Sequence, residues 1–192
     1  VLNVGASGLG NIIKQSSIGI RCVLVSYLTA QANSFSDCAW EGVYGQGKGG
    51  TIRIINENTF ENCLYGIMAN NYMNVIVNDN AHDLSGNFRN NRIDVLVTQC
   101  NANTIDISRN SFKNALSGSI YSFFNAQSAV NIMDNVIEFS NPSTQLGIYE
   151  CENGPNTKCG PINIEHNTVY GAFSGIIAQY LSNAKVHRNL IY

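Results

Sequence analysis

The chain has 192 residues, 44% of them hydrophobic and only 12% charged, with a formal net charge of −2. Average soluble domains carry roughly 25% charged residues. The eleven Lys and Arg are scattered from Lys14 to Arg188 without a run that tracks a phosphate backbone, which argues against a charge-driven nucleic-acid binder. No apolar stretch approaches the roughly 18 residues of a spanning helix, which argues against membrane insertion.

Asparagine replaces the missing charge, with 28 residues against 17 Gly and 3 Pro. The chain opens at Val1-Leu2-Asn3 without an initiator Met, a charged leader or an apolar leader, which predicts a processed product or an excised piece. From Asn11 onward one phrase recurs: two apolar residues flanking a variable one, a short polar step, Asn, a variable residue, an apolar residue, then a Gly-apolar pair. Its clearest copies are Ile52-Arg53-Ile54 leading to Asn58-Thr59-Phe60-Glu61-Asn62 and Gly66-Ile67, and Ile105-Asp106-Ile107 leading to Asn110-Ser111-Phe112-Lys113-Asn114 and Gly118.

In chain order the leading Asn stands at Asn11, Asn33, Asn58, Asn80, Asn110, Asn135, Asn167 and Asn189, at spacings of 22, 25, 22, 30, 25, 32 and 22. The recurring minimum of 22 is the basic unit, and the excess predicts insertions near residues 81–86 and 149–161. With residues 81–86 set aside, the step after each Asn carries Ile13, Phe35, Phe60, Phe88, Phe112, Ile137, Val169 and Ile191, all apolar. The Gly-apolar step is kept at Gly19, Gly42, Gly66, Gly147 and Gly175, and Asp94-Val95 departs from it.

A 22-residue unit is too short for helix-pair repeats, and Gly, Asn and β-branched residues stand where helix formers belong. The runs Val75-Ile76-Val77, Val130 with Ile132, Ile162-Asn163-Ile164, and Ala184 with Val186 read as strands of three to five residues. Strands that short persist only when each coil lies in register on the next, about 4.8 Å away. The repeated Asn is then the corner, where a left-handed backbone and amide ladders are tolerated. The repeated Phe or Ile is the core. The expectation is an all-β parallel β-helix solenoid of about seven coils, one domain over residues 1–192, with open ends that predict flanking coils or domains of a longer protein.

The phrase I-x-I-x-x-N-x-F-x-N with a following G-I resembles the repeats of right-handed parallel β-helix proteins, the pectate-lyase-like superfamily, and especially secreted bacterial surface β-helix proteins. The likeness covers roughly Asn11 to Tyr192. It implies a right-handed coil, and an enzyme of that superfamily carries its carboxylates, Arg and Lys on an outer strand face. The scaffold also hosts lyases, hydrolases, epimerases, phage tailspikes and adhesins, so the likeness specifies fold more than activity.

Stacked coils predict outward columns. One is Thr29, Arg53, Ile76, Asp106, Asn131, Asn163 and Lys185; a second is Ala32, Glu57, Asp79, Arg109, Asp134, His166 and Arg188; a third is Gln31, Asn56, Asn78, Ser108, Met133, Glu165 and His187. They bring Asp134, Glu165, His166, Lys185, His187 and Arg188 onto one flank, a candidate catalytic set for uronic-acid β-elimination or glycoside hydrolysis. The competing and favoured reading is a solvated ladder of alternating charge. Asn-Thr-Asp, Asp-Asp, Gly-His-Gly and Arg-Ile-Lys are all absent from the chain. Trp40 and Tyr65 fall seven residues past their Asn and form a candidate glycan platform, with a plain packing ladder as the alternative. The stretch from Asn78 to Asn87 offers oxygen ligands for a weak calcium site but lacks the spaced acidic pattern of a calcium loop, and no other cofactor is expected.

No C-x-x-C pair exists, which argues against zinc. Cys38 and Cys63 are each five residues past an Asn. In-register strands aim both Cβ atoms the same way, which predicts buried free thiols with Ala115 in the same slot. Cys151 and Cys159 bracket a loop that cannot pack a core. A disulfide is expected there, worth about 2.5 kcal/mol, and it implies an oxidising location. Three functions follow: a secreted or cell-surface structural or adhesive rod binding a polysaccharide or surface protein; a polysaccharide lyase, hydrolase or epimerase; and a phage tailspike or fibre segment. The third requires an apolar outer strip, and the sequence shows no clear one.

Overall fold

Alternation of β-branched with polar residues yields strands of two to six residues and, among the described residues, no helix. The computed structural model describes residues 1–6, 8–47, 49–72, 74–80, 87–100, 104–141, 143–152 and 160–192. The first sheet holds Leu2–Val4, Tyr27–Gln31, Thr51–Ile55, Asn74–Asn78, Thr104–Ser108, Ala129–Met133, Ile162–Glu165 and Ala184–His187. The second holds Ile12–Lys14, Ser34–Ser36, Thr59–Glu61, Phe88–Arg89, Ser111–Lys113, Val136–Glu138, Thr168–Tyr170 and Leu190–Ile191. Longer strands build the third: Ile20–Val23, Glu41–Gln46, Tyr65–Asn70, Ile93–Thr98, Gly118–Phe123, Leu146–Cys151 and Ser174–Gln179. Each strand pairs in parallel with those one coil away, so the chain is a parallel β-solenoid, as the repeat predicts.

Like residues stack on like. Phe88 pairs with Phe60 on one side and Phe112 on the other. The rings of Phe35, Phe60, Phe88 and Phe112 follow at centroid spacings of 4.9, 4.8 and 4.8 Å, the interstrand distance. All four are buried, as are Ile52, Ile54, Val75, Val77, Ile105 and Ile107 of the first sheet. The recurrent glycine belongs to the same packing. A Cβ on Gly42 would stand 2.6 Å from the Phe60 ring, so the aromatic stack requires glycine opposite it.

The eight leading asparagines form one hydrogen-bonded column. Asn58 donates its backbone N–H and its Nδ2 to Oδ1 of Asn80 at 3.2 and 3.0 Å, and its Nδ2 also reaches the Ile55 carbonyl at 2.8 Å. The pattern repeats from Asn11 to Asn189. One expectation needs correcting: the leading Asn does not itself make the left-handed bend. That conformation belongs to the preceding residue, with φ of 56° at Ala32, 57° at Asp79, 54° at Arg109, 56° at Asp134 and 57° at His166. The second Asn of the phrase turns the next corner, at φ 55°, 54° and 56° for Asn62, Asn90 and Asn114. Asparagine thus serves twice, once as an inward amide and once as a residue tolerant of positive φ.

Two register details also differ. Ile55, not Asn56, pairs with Gln31 and Asn78, because that coil carries an extra residue and both Asn56 and Glu57 take positive φ. Tyr149, placed inside an insertion by spacing alone, lies with Glu150 and Cys151 in a third-sheet strand. Residues 81–86 and 153–159 lie outside the described residues.

Candidate functional site

The predicted flank assembles in part. Glu165 pairs with His187 across the first-sheet ladder, and their side chains meet at 3.0 Å, Oε2 to Nε2. At the adjoining corner His166 Nδ1 lies 4.0 Å from both Asp134 and Glu165. Lys185 stands over Asn163, and the outward column runs on through Asn131. Neither Lys185 nor Arg188 makes an ion pair among the described residues. A hollow of about 490 Å³ takes in His187 and Arg188, but its other walls are Ile176, Ala178, Val186, Asn189 and Ile191. It reaches none of Asp134, Glu165 or His166.

The same corner carries paired charges further down the rod. Arg109 donates to Asp79 at 2.9 Å, holding that carboxyl below its usual range. Arg89 meets Glu61 at 3.2 Å and Lys113 meets Glu138 at 3.5 Å, each one coil apart on the second sheet. Complementary charges on adjacent coils are what a stacked ladder needs to avoid like-charge repulsion.

The outer face of the third sheet differs in kind. Register places Arg21, Tyr44, Met68, Leu96, Tyr121, Tyr149 and Ile177 in one column, an apolar and aromatic strip that the sequence reading does not find and that is buried at Leu96, midway along it. Its edge is polar. The Tyr44 hydroxyl donates to Gln46 at 3.1 Å, and the Tyr149 hydroxyl donates to Gln179 at 3.3 Å. Tyr121 and Tyr149 meet edge to face at 5.6 Å, and burial pushes the Tyr121 hydroxyl above its ordinary pKa.

At one end of this strip Ile18, Arg21, Trp40, Glu41, Tyr44 and Met68 line a hollow of about 380 Å³. The Arg21 guanidinium sits 5.9 Å from the centre of the Tyr44 ring. Glu41 is buried, and that burial raises its carboxyl pKa against the opposing pull of its own backbone and Arg21. Trp40 is 56% exposed. The expected Trp40–Tyr65 column is off by one residue: Tyr65 pairs with Glu41, because the coil of Trp40 holds one residue more between Cys38 and Gly42 than the next holds between Cys63 and Gly66. Trp40 and Tyr65 are therefore diagonal in the register, not stacked one on the other. Arg21 sits two residues past the repeated Gly19, at the same step as Tyr44 and Met68, but that step carries no recurring residue type, and Glu41 immediately precedes the repeated Gly42, so neither stands out in the sequence.

Buried acids are the other feature the sequence conceals. Asp94 occupies the repeated glycine step, accepts from Asn91 Nδ2 at 3.0 Å, and is pushed up to about 8 by burial. Glu150 follows outward Tyr149, so it points into the core beside Ser122, and burial raises its carboxyl well above the usual range. Glu152 is buried one step beyond it, with its carboxyl also raised by desolvation.

Cys22, Cys38, Cys63, Cys100 and Cys151 are free buried thiols. Backbone bonding stacks Cys38, Cys63, Asn91 and Ala115 in one slot, in agreement with the expected thiol column. Burial pushes Cys63 up to about 12. Among the described residues there is no disulfide, and the expected partner of Cys151, Cys159, lies outside them. So does the centre of the calcium-candidate loop. Among the described residues no three His, Cys, Asp or Glu side chains are arranged to hold a metal ion. No protein-family profile matches the chain, and neither a curated protein nor a solved structure does.

Proposed function

We propose that the chain is a rigid, non-enzymatic part of a secreted or cell-surface protein that binds an extracellular glycan along the outer face of its third sheet. The observation that carries this reading is the registered column from Tyr44 to Ile177, with tyrosine hydroxyls turned to Gln46 and Gln179. Amphipathic rings with wet edges suit the alternating C–H and hydroxyl faces of sugars. A wall fixed by parallel pairing on both sides loses little freedom on binding, which favours affinity. The wet rim suits a hydrated ligand better than the dry core of a permanent subunit interface.

Retention of the chain on a panel of immobilised polysaccharides tests the reading. Tyr121→Ala and Tyr149→Ala should each lower retention about tenfold, as expected for loss of roughly 1.4 kcal/mol. Retention by no glycan, or by both variants as by the parent chain, would sink it. A trimer in solution with Tyr121 protected would instead point to a fibre segment. An enzymatic reading draws on one observation, the 3.0 Å contact of Glu165 with His187. Polysaccharide cleavage that disappears in Glu165→Gln would carry it.

A further inference from the structure

We infer that the hollow bounded by Arg21, Trp40, Glu41 and Tyr44 is a subsite for one neutral hexose unit of a glycan, an inference that rests on the glycan-binding reading and gives it a sugar class. Four features converge. Trp40 is the only tryptophan of the chain and leaves 56% of its surface open, with no hydrogen-bond partner for its indole N–H among the described residues. A large flat ring held at the rim of a concavity is a stacking platform for the C–H face of a pyranose. Met68 and Ile18 continue the apolar wall.

Polar recognition comes from a pair of opposite groups. Arg21 offers only donors, in a planar fork whose centre lies 5.9 Å from the Tyr44 ring centre, and Glu41 offers acceptors from a buried position on the adjacent coil. Vicinal hydroxyls both donate and accept, so a diol is the group that satisfies both at once. The lining holds one basic and one acidic side chain, so it has no second cation to hold a uronic acid and no second carboxylate to hold an amino sugar. The hollow's 380 Å³ falls at the small end of the roughly 300–1,000 Å³ range of ligand sites, which fits one or two sugar rings.

A single tryptophan makes the chain its own reporter. Titration with neutral gluco-, manno- and galacto-oligosaccharides should give a saturable shift in indole emission with at least one of them, and galacturonate oligomers should give none. Calorimetric affinity for the active oligosaccharide should fall at least tenfold in Trp40→Ala and in Glu41→Gln. Arg109→Ala, at the half-exposed corner ion pair away from the third sheet, should leave the emission shift in place. Arg21→Gln, at an exposed position, supplies a loss of affinity without disturbing a buried group. The inference is overturned if no neutral oligosaccharide shifts the emission, if only uronic oligomers do, or if all three hollow variants bind as the parent chain. Glycan retained equally by Trp40→Ala and the parent chain, but lost in Tyr121→Ala, overturns the hollow and leaves the wider face standing. Loss of retention on every glycan removes both.

Discussion

From Phe35 to Phe112 the inner column of the second sheet is a stack of four rings, whereas from Ile137 through Val169 to Ile191 it is aliphatic. A parallel change occurs inside the third sheet. Its inner column runs Cys22, Gly45, Ala69 and Val97, small residues that leave room for the buried Tyr72 ring beside Gly45, and then turns polar at Ser122 and Glu150. Both halves keep the same asparagine ladder. In a solenoid each side chain touches mainly its counterparts one coil away, so one column can change chemistry partway along without disturbing the others. Backbone pairing and the amide ladder set the coil; the fill of the tube is negotiable.

The comparison is easiest to break at the ring stack. Phe60→Ala should destabilise by about 3–5 kcal/mol and Ile137→Ala by about 2–5 kcal/mol, because the larger void is harder to close. Equilibrium denaturation measures both, and a loss at Ile137 equal to or above that at Phe60 would overturn the ranking. The shared ladder should come next. Asn110→Ala removes the donor to the Val77 carbonyl at 2.7 Å and the acceptor of the Asn80 Nδ2 at 2.9 Å, both buried, and each orphaned group costs about 1–3 kcal/mol. Asn11→Ala, at an exposed position, should cost much less.

Buried acids sharpen the contrast through pH. Asp94 stays protonated in the folded chain up to about pH 8, but ionises near its ordinary 3.8 when unfolded. Its stabilising contribution is therefore complete below about pH 4, falls by about 1.4 kcal/mol per pH unit between those values, and levels off above pH 8. Asp94→Asn keeps the acceptor for Asn91 and should flatten that slope in denaturation curves taken from pH 5 to 8. An unchanged slope would place the titration elsewhere, with Glu150→Gln as the next variant to examine. Smallest of all should be the corner ion pair. Arg109→Ala should cost less than about 1 kcal/mol, and the difference should vanish at high salt, since both partners are about half exposed.

The columns of Asn and Phe are legible in the chain because stacking maps like residues onto like, which makes the fold a one-dimensional pattern. The candidate site is less so. Glu165 and His187 come together as spacing predicts, since no insertion separates their coils from their Asn markers. Trp40 and Tyr65 slip by one because loop length changes between marker and strand, and a single residue moves a side chain to the next column. Nothing in the chain marks Glu150 or Asp94 as buried until the pleat assigns each a direction.

Composition, a 22-residue period and an apolar step beside every leading Asn were enough to dictate stacked parallel coils, because only coil-on-coil pairing satisfies such short strands. Which column each remaining residue joins was decided by tertiary register: one extra residue between marker and strand moves a side chain to the next column, as Tyr65 falls opposite Glu41 and not Trp40, and the period of the leading Asn does not show it.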